Sequence, residues 1–269
     1  MAMVQLSRGF GMNFDIHSAI LPMDTVFIHG NLASNTWWEP SIEIWNQTKK
    51  PNYEGRAILG EWRGCGKSDA PNSESDLHPA TIADDYIEAL QKLGVKKACL
   101  IGHSTGGLIA LFALMKAPEL FDRALLLDPV SAKGVQFDNS MYDAFTQMSQ
   151  DREFCSAVMN GTIHGNDPSH PRFQRLVDEA QLATRQLGHG VLNSLKDIDI
   201  TDKLASVQHP VLVLHGEHDG VLPMEGSVEL AKGLPNARFM ELKDQGHSTN
   251  LENPALFVKL TDDFLFNRP

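Results

Sequence analysis

Residues 98–118 read ACLIGHSTGGLIALFALMKAP, which is a short apolar run, a glycine-rich turn around Ser104 and a longer apolar run. The first run has the length and composition of a strand buried on both faces, and the second those of a buried helix. Gly102 and Gly106 flank the turn because larger side chains would collide in so tight a bend. The pattern therefore predicts a sharp strand-to-helix turn that raises the Ser104 hydroxyl above a sheet, at the N-terminus of a helix.

Strand-like and helical patterns alternate on both sides of this stretch. Five short apolar runs bounded by glycine or polar turns predict strands: TVFIHG at 25–30, RAILGE at 56–61, ACLIGH at 98–103, ALLLDP at 124–129 and VLVLHG at 211–216. Helical periodicity lies between them, as in TIADDYIEALQKLG, where Gly94 can close the helix. The alternation predicts an α/β fold whose mostly parallel central sheet carries helices on both faces.

One connection interrupts this rhythm. About 80 residues separate Val130 from Val211, whereas a strand-helix-strand crossover needs roughly a dozen. Residues 131–205 show helical patterns separated by polar and glycine-rich clusters. We therefore predict a core made of residues 1–130 and 206–269, with a helical lid at 131–205 inserted into it. Met141, Phe145 and Met148 lie on one face of a lid helix, where packing onto the core is favoured over lining a pocket, although both are compatible.

Composition limits the classes of partner and compartment. The 269 residues include 23 Lys and Arg against 34 Asp and Glu, a net charge of −11, so nucleic acid and anionic membranes are not expected partners. No window offers the roughly 18 uninterrupted apolar residues of a membrane helix, and the first 25 residues lack a readable secretory signal. The cysteines Cys65, Cys99 and Cys155 are isolated and favour buried thiols in a cytoplasmic protein. The histidines lack metal-ligand spacing, so neither metal nor cofactor is expected.

A serine hydroxyl becomes a good nucleophile when a neighbouring imidazole accepts its proton. His247 follows the strand-like ARFMELK, and Asp219 follows VLVLH, so both are expected at the carboxyl edge of the sheet with Ser104. The order is Ser104, Asp219, His247, with separations of 115 and 28 residues. Asp128, after ALLLD, is a second candidate for the acid. Asp219 is favoured, because Asp128 precedes a proline that biases its backbone toward an extended conformation.

On these motifs the chain resembles the α/β-hydrolase superfamily, and the resemblance covers about residues 25 to 266. His29-Gly30-Asn31 resembles the family loop that supplies one N–H of the oxyanion hole, the site that stabilises the negative oxygen of the reaction intermediate. The resemblance implies that the backbone N–H groups of Asn31 and Thr105 form this hole. The triad and the loop GHSTGG are most similar to the serine esterase and metal-free haloperoxidase-like branch.

The segment EWRGCGKS at 61–68 resembles the family pattern D-x-R-G-x-G-x-S, with Glu61 where aspartate is usual. We interpret this segment as structural. It also imitates a phosphate-binding loop, but that loop requires glycine at the position of Glu61. A nucleotide site is therefore not expected.

The resemblance implies a serine hydrolase that cleaves a small-molecule carboxylic ester or lactone through an acyl-enzyme, without cofactor. An alternative with the same triad order is a carbon–carbon bond hydrolase of aromatic degradation. A catalytically silent protein that binds a small ligand is a third, less favoured possibility. The sequence leaves the substrate and the oligomeric state open.

Overall fold

The computed structural model describes residues 1–266, which form one central sheet of eight strands with helices on both faces. The strands are β1 (Ala2–Gln5), β2 (Gly11–Leu21), β3 (Thr25–Ile28), β4 (Gly55–Glu61), β5 (Ala98–His103), β6 (Phe121–Leu127), β7 (Val211–Gly216) and β8 (Ala237–Leu242). Their order across the sheet is β1-β2-β4-β3-β5-β6-β7-β8. All pairs from β4 to β8 are parallel, whereas β1 and β2 pair antiparallel. The predicted mostly parallel α/β fold is confirmed.

The helices lie between and after these strands. They are α1 (Glu39–Thr48), α2 (Pro79–Lys92), α3 (Thr105–Lys116), α4 (Asn139–Gln150), α5 (Arg152–Asn160), α6 (Pro171–Leu187), α7 (Gly190–Lys196), α8 (Met224–Gly233), α9 (Thr249–Glu252) and α10 (Pro254–Leu265). A 3-10 turn at Asn35–Trp38 precedes α1. Gly94 follows α2 with a φ of +71°, a conformation that ends a helix easily only when the residue is glycine.

Strand side chains alternate between two apolar layers. Val26 and Leu100 belong to the layer that contains α2 and α3, whereas Phe27 and Ile101 belong to the layer that contains α1 and α10. Because both faces of the central strands are covered, their sequences contain continuous apolar runs, as in VLVL at 211–214. This sheet fixes the carboxyl ends of its parallel strands along one edge.

The long connection after β6 holds a helical insertion made of α4, α5, α6 and α7. β6 and β7 are nevertheless direct neighbours in the sheet, with Ala124 opposite Val211. The insertion therefore leaves the sheet at the carboxyl edge where the site lies, and the chain re-enters β7 at the opposite, amino edge, because the two strands are parallel. The use of residues 131–205 as a separate lid remains a prediction.

Two smaller observations concern the chain as a whole. Cys65, Cys99 and Cys155 are buried free thiols, as predicted. Within residues 1–266, no helix combines the length and apolar character needed to cross a membrane.

Candidate active site

Ser104 occupies the turn between β5 and α3. Its φ of +55° and ψ of −122° are strained for a residue with a side chain. The strain is held by close packing below the turn: a Cβ on Gly106 would lie 2.1 Å from the carbonyl oxygen of Ile28, and one on Gly102 would lie 2.4 Å from that of Gly106. These glycines are required by the approach of backbone to backbone, which is the physical reason for the motif.

His247 lies on the loop after β8 and is hydrogen-bonded to Asp219, on the loop after β7. His247 Nδ1 is 2.8 Å from Asp219 Oδ2. A carboxylate only accepts, so Nδ1 carries the proton and Nε2 keeps the lone pair that a general base needs. Within residues 1–266, no hydrogen bond joins Ser104 Oγ to His247. In sites of this kind that contact commonly tightens only with substrate.

Asp219 is held by three hydrogen bonds and lies close to a buried histidine. Its Oδ1 accepts the backbone N–H groups of Val221 and Leu222 at 2.7 and 3.0 Å. Its Oδ2 accepts His247 and lies 3.5 Å from Nε2 of the buried His215. Burial raises the pKa of Asp219, but the hydrogen bond and charge of His247, with the two N–H groups, outweigh burial and bring the pKa below its ordinary value. Asp219 is therefore ionised near neutral pH and can stabilise an imidazolium.

Asp128, the other candidate acid, is fully buried behind this pair. Its φ is +45°, so its backbone is left-handed and not extended as the following proline had led us to expect. Oδ1 accepts the N–H of Gly216 at 2.8 Å, and Oδ2 has no hydrogen-bond partner among the described residues. Burial, and then the charge of Asp219, raise the pKa of Asp128 well above its ordinary value. The shift favours the protonated form of Asp128, and its Oδ1 is engaged by Gly216, whereas Asp219 is the carboxylate that contacts His247.

The two residues predicted for the oxyanion hole flank Ser104. Asn31 follows β3, Thr105 is the first residue of α3, and both line the cavity that contains Ser104 and His247. Within residues 1–266, neither backbone N–H donates to a protein acceptor. Gly30 permits this approach, because a Cβ there would lie 2.9 Å from Ser104 Cβ. The arrangement offers two free donors beside the serine.

The cavity above Ser104 has a volume of about 350 Å³ and two unlike sides. We call the polar side the floor; it consists of Gly30, Asn31, Ser104, Thr105 and His247. We call the side supplied by the helical insertion the roof; it contains Met141, Phe145, Met148, Val158, Met159, Leu192 and Leu195. Phe145 and Met148 are also buried in the core, so the predicted helix face both packs and lines the cavity. The cavity lining contains no Lys, Arg, Asp or Glu within the described chain.

Two further histidines support the floor from below. His103 donates from Nε2 to the carbonyl oxygen of His247 at 2.8 Å and stacks on Trp37. His29 stacks on Trp62. Burial lowers the pKa of His103 to about 3 and that of His29 to about 4, so both rings are neutral near neutral pH. His29 Nδ1 donates to the carbonyl oxygen of Gly30 at 2.9 Å, so both histidines are hydrogen-bonded structural groups.

Within residues 1–266, three groups of side chains lie close enough to share a metal ion. Two of them, His103-Asp128-His247 and Asp128-His215-Asp219, belong to the site itself, and the third is the exposed Glu217-His218-Asp244. His247 belongs to the first group and Asp219 to the second, and these two side chains are hydrogen-bonded to each other. This hydrogen bond is the arrangement that proton transfer by His247 requires.

The sequence did not identify several residues that shape the site. Trp37, in the 3-10 turn after β3, lines the cavity, and His215 supports Asp219. His215 could have been noticed as a polar residue inside an otherwise apolar strand. Trp37 carries no such signal, because its neighbour Trp38 is equally apolar and packs elsewhere in the core.

A serine, a histidine and an aspartate at the carboxyl edge of a mostly parallel sheet define a class of hydrolytic enzymes. A family model described as alpha/beta hydrolase fold matches residues 26–254. The chain therefore belongs to the α/β-hydrolase fold family. The predicted superfamily and the prediction of a hydrolase are confirmed.

Curated relatives cover nearly the whole chain at low identity. The chain is 27% identical to the proposed carbamate hydrolase RutD of Agrobacterium fabrum, over 91% of this chain and 95% of the relative. It is 27% identical to the carboxylesterase YbfK of Bacillus subtilis, over 97% and 86%. It is 25% identical to a 2-hydroxymuconate semialdehyde hydrolase of a Pseudomonas species, over 95% and 91%. The relatives are hydrolases that act on different substrates.

Solved structures agree on the fold. The esterase EaEST of Exiguobacterium antarcticum superimposes with a TM-score of 0.82 at 23% identity, covering 98% of both chains. The enol-lactonase of Burkholderia xenovorans gives 0.83 at 19% identity, covering 98% of this chain and 100% of its own.

Proposed function

We propose that this protein is a serine hydrolase that cleaves small, uncharged carboxylic esters or lactones through an acyl-enzyme on Ser104. The observation that carries the proposal is the 2.8 Å contact between His247 and Asp219 at the cavity that also contains Ser104. YbfK, EaEST and the enol-lactonase are named for reactions of this class.

In the proposed reaction, Ser104 Oγ attacks the carbonyl carbon while His247 Nε2 takes its proton. The N–H groups of Asn31 and Thr105 stabilise the resulting oxyanion, and each such donor is worth about 2.7 to 4 kcal/mol in related sites. His247 then returns the proton to the leaving alcohol as the carbon–oxygen bond breaks. Water, deprotonated by the same nitrogen, attacks the acyl-enzyme and releases the carboxylic acid and free Ser104.

The cavity supports substrates that are short and neutral. Its volume of about 350 Å³ is near the lower end of the roughly 300 to 1,000 Å³ of small-molecule sites. An unpaired carboxylate buried in it would lose its hydration without gaining a cation, because the lining provides neither Lys nor Arg. This disfavours the carbon–carbon hydrolase alternative, since a muconate semialdehyde is a carboxylate. We further propose that residues 131–205 form the lid of this cavity.

The test is a substrate panel with purified protein: p-nitrophenyl acetate, butyrate and palmitate, an uncharged lactone, and the anionic p-nitrophenyl hemisuccinate. We expect kcat/KM to be highest for the short neutral esters and at least about 100-fold lower for palmitate and hemisuccinate. Ser104→Ala should abolish turnover, whereas the exposed Ser206→Ala should leave it unchanged.

Two results would contradict the proposal. Equal kcat/KM for acetate and palmitate would remove the small enclosed cavity as the specificity determinant. Full activity in Ser104→Ala would remove the acyl-enzyme and favour a protein that binds ligands without this chemistry.

A further inference from the structure

A second and larger cavity lies on the other side of the 3-10 turn at Asn35–Trp38. Its volume is about 700 Å³, and it is bounded by β2, β4, α1 and α6. Asn35 lines this cavity, whereas Trp37 from the same turn lines the catalytic cavity. Unlike the catalytic cavity, it is rich in carboxylates.

Part of that negative charge is already neutralised. Glu39 and Glu43 pair with Arg175 and Arg172 from α6. Within residues 1–266, the other three carboxylates of the lining, Asp15, Glu61 and Glu179, form no ion pair. The remaining cations of the lining are Lys67, whose Nζ lies 3.4 Å from Met1 Sδ, and the α-ammonium group of Met1, and neither forms an ion pair within the same residues.

Glu61 is fixed by the protein itself. Its carboxylate accepts the backbone N–H of Asn35 at 3.2 Å and that of Lys67 at 2.8 Å. Gly66, at a φ of +54°, makes room for it, because a Cβ there would lie 2.1 Å from Glu61 Cδ. Glutamate in place of the usual aspartate therefore puts a buried negative charge at the base of the cavity, with N–H donors but without a counter-ion.

Asn35 and Glu179 lack the donor that would complete them. Asn35 is only 4% exposed, and its amide nitrogen donates to Asp15 Oδ2 and to the carbonyl of Leu59, which fixes the orientation of the amide. Its Oδ1 is buried and unpaired within the described residues. Glu179 accepts the hydroxyls of Ser34 and Thr36 but no cation. A buried acceptor without a donor is costly, and a half-buried carboxylate without an ion pair favours a cationic donor. Asn35 and Glu179 therefore point to a ligand that donates hydrogen bonds and carries positive charge.

We propose that this cavity binds a small organic cation with a primary ammonium or guanidinium group, with Asp15, Asn35 and Glu179 as its acceptors. An extended organic ligand fits better than a metal ion. The described residues place these carboxylates in no group close enough to share one ion, and the cavity is far larger than an ion. Burial raises the pKa of Glu179, and the hydrogen bonds of Ser34 and Thr36 and the charge of Arg175 offset only part of this effect.

The test is isothermal titration calorimetry at fixed ionic strength with agmatine and with putrescine. We expect one saturable site. Asp15→Asn and Glu179→Gln should each lower the association constant about tenfold or more, since each removes a charge-assisted acceptor. Lys67→Gln should raise it, because it removes a repelling cation. Asp202→Asn, an exposed acid on the far segment before β7, is the matched control and should leave it unchanged.

Melting temperatures establish whether each variant is folded. If Glu179→Gln does not fold, the test rests on Asp15→Asn. The proposal is overturned if neither amine gives saturable heat, if Asp202→Asn weakens binding as much as the cavity variants, or if CaCl₂ binds more tightly than both amines. The titration is repeated in Ser104→Ala, so its outcome is independent of the proposed hydrolysis.

Discussion

The floor of the catalytic cavity comes from loops at the carboxyl ends of β3, β5 and β8, whereas the roof comes from helices α4, α5 and α7. Floor residues are fixed by backbone contacts: glycines pack under Ser104, and backbone N–H groups hold Asp219, which in turn orients His247. Roof residues are flexible or bulky apolar side chains whose positions depend only on packing. From this difference we expect the floor to determine whether a bond is cleaved and the roof to determine which substrate is selected.

The largest effect should come from the acid that supports His247. Asp219→Asn should lower kcat by up to about 10⁴, because His247 loses the group that fixes its tautomer and stabilises its charge. Asp128→Asn should retain kcat within about threefold, because Asp128 does not contact His247, its pKa shift favours the neutral form, and Asn preserves its shape. The measurement is kcat for p-nitrophenyl acetate with melting temperatures of both variants. The reverse result, loss of activity in Asp128→Asn and retained activity in Asp219→Asn, would show that the acid is Asp128, which follows β6.

A second test concerns the loss of folding stability at acid pH, which we expect to arise from the two histidines beneath the floor. His103 and His29 have pKa values of about 3 and 4 when folded, against 6.5 as the ordinary value. Because these pKa values are lowered, their stabilising contribution is fully present above pH 6.5 and is lost as pH falls toward the folded values. At pH 5 each of these histidines lowers the free energy of unfolding by about 2 kcal/mol relative to pH 8.

Between pH 8 and pH 5, the free energy of unfolding of His103→Asn should therefore fall by about 2 kcal/mol less than that of the wild type. The measurement is urea unfolding at both pH values. The comparison with wild type cancels Asp128, whose raised pKa acts in the opposite direction. His189→Asn, in the insertion, is the control. An unchanged difference between pH 8 and pH 5 in His103→Asn would show that this ring is not held neutral.

The smallest effect is expected from the roof. Phe145→Ala enlarges the cavity and should raise the hexanoyl-to-acetyl ratio of kcat/KM about tenfold, while kcat for acetyl changes less than threefold. Phe154→Ala, on α5 but outside the cavity lining, is the matched control. A fall in kcat for acetyl esters as large as that of Asp219→Asn would contradict the separation of floor and roof.

The same contrast explains what the sequence could predict. The floor follows from short motifs, because a strand-to-helix turn and strand-end loops fix their residues within a few positions of a recognisable strand. The positions of Ser104, Asp219 and His247 at one edge of the sheet were therefore predictable, and their catalytic roles stay a prediction. The positive φ of Asp128 was not, since a following proline favours the opposite.

Features that depend on distant contacts were missed. β1 and β2 form an antiparallel edge that the strand analysis omitted, although GMNFDIHSAIL has the length of a long strand. Helical periodicity identifies an apolar face but not what that face contacts. The sequence therefore predicted a helical insertion without showing which of its residues line the cavity. The contacts of Glu179 with Ser34 and Thr36 join positions more than 140 residues apart, which no local pattern reveals.

The insertion between β6 and β7 also bears on the order in which the molecule folds. Ala124 pairs with Leu100, 24 residues earlier, and with Val211, 87 residues later. Loop-closure entropy makes the second pairing costlier by about 1 kcal/mol, unless α4 to α7 fold first and shorten the effective loop. β7 carries the loop of Asp219, whereas β5 carries the turn of Ser104. We therefore expect a folding chain to form the turn of Ser104 early and to place Asp219 late. Formation of the complete site would then depend on how fast the insertion folds.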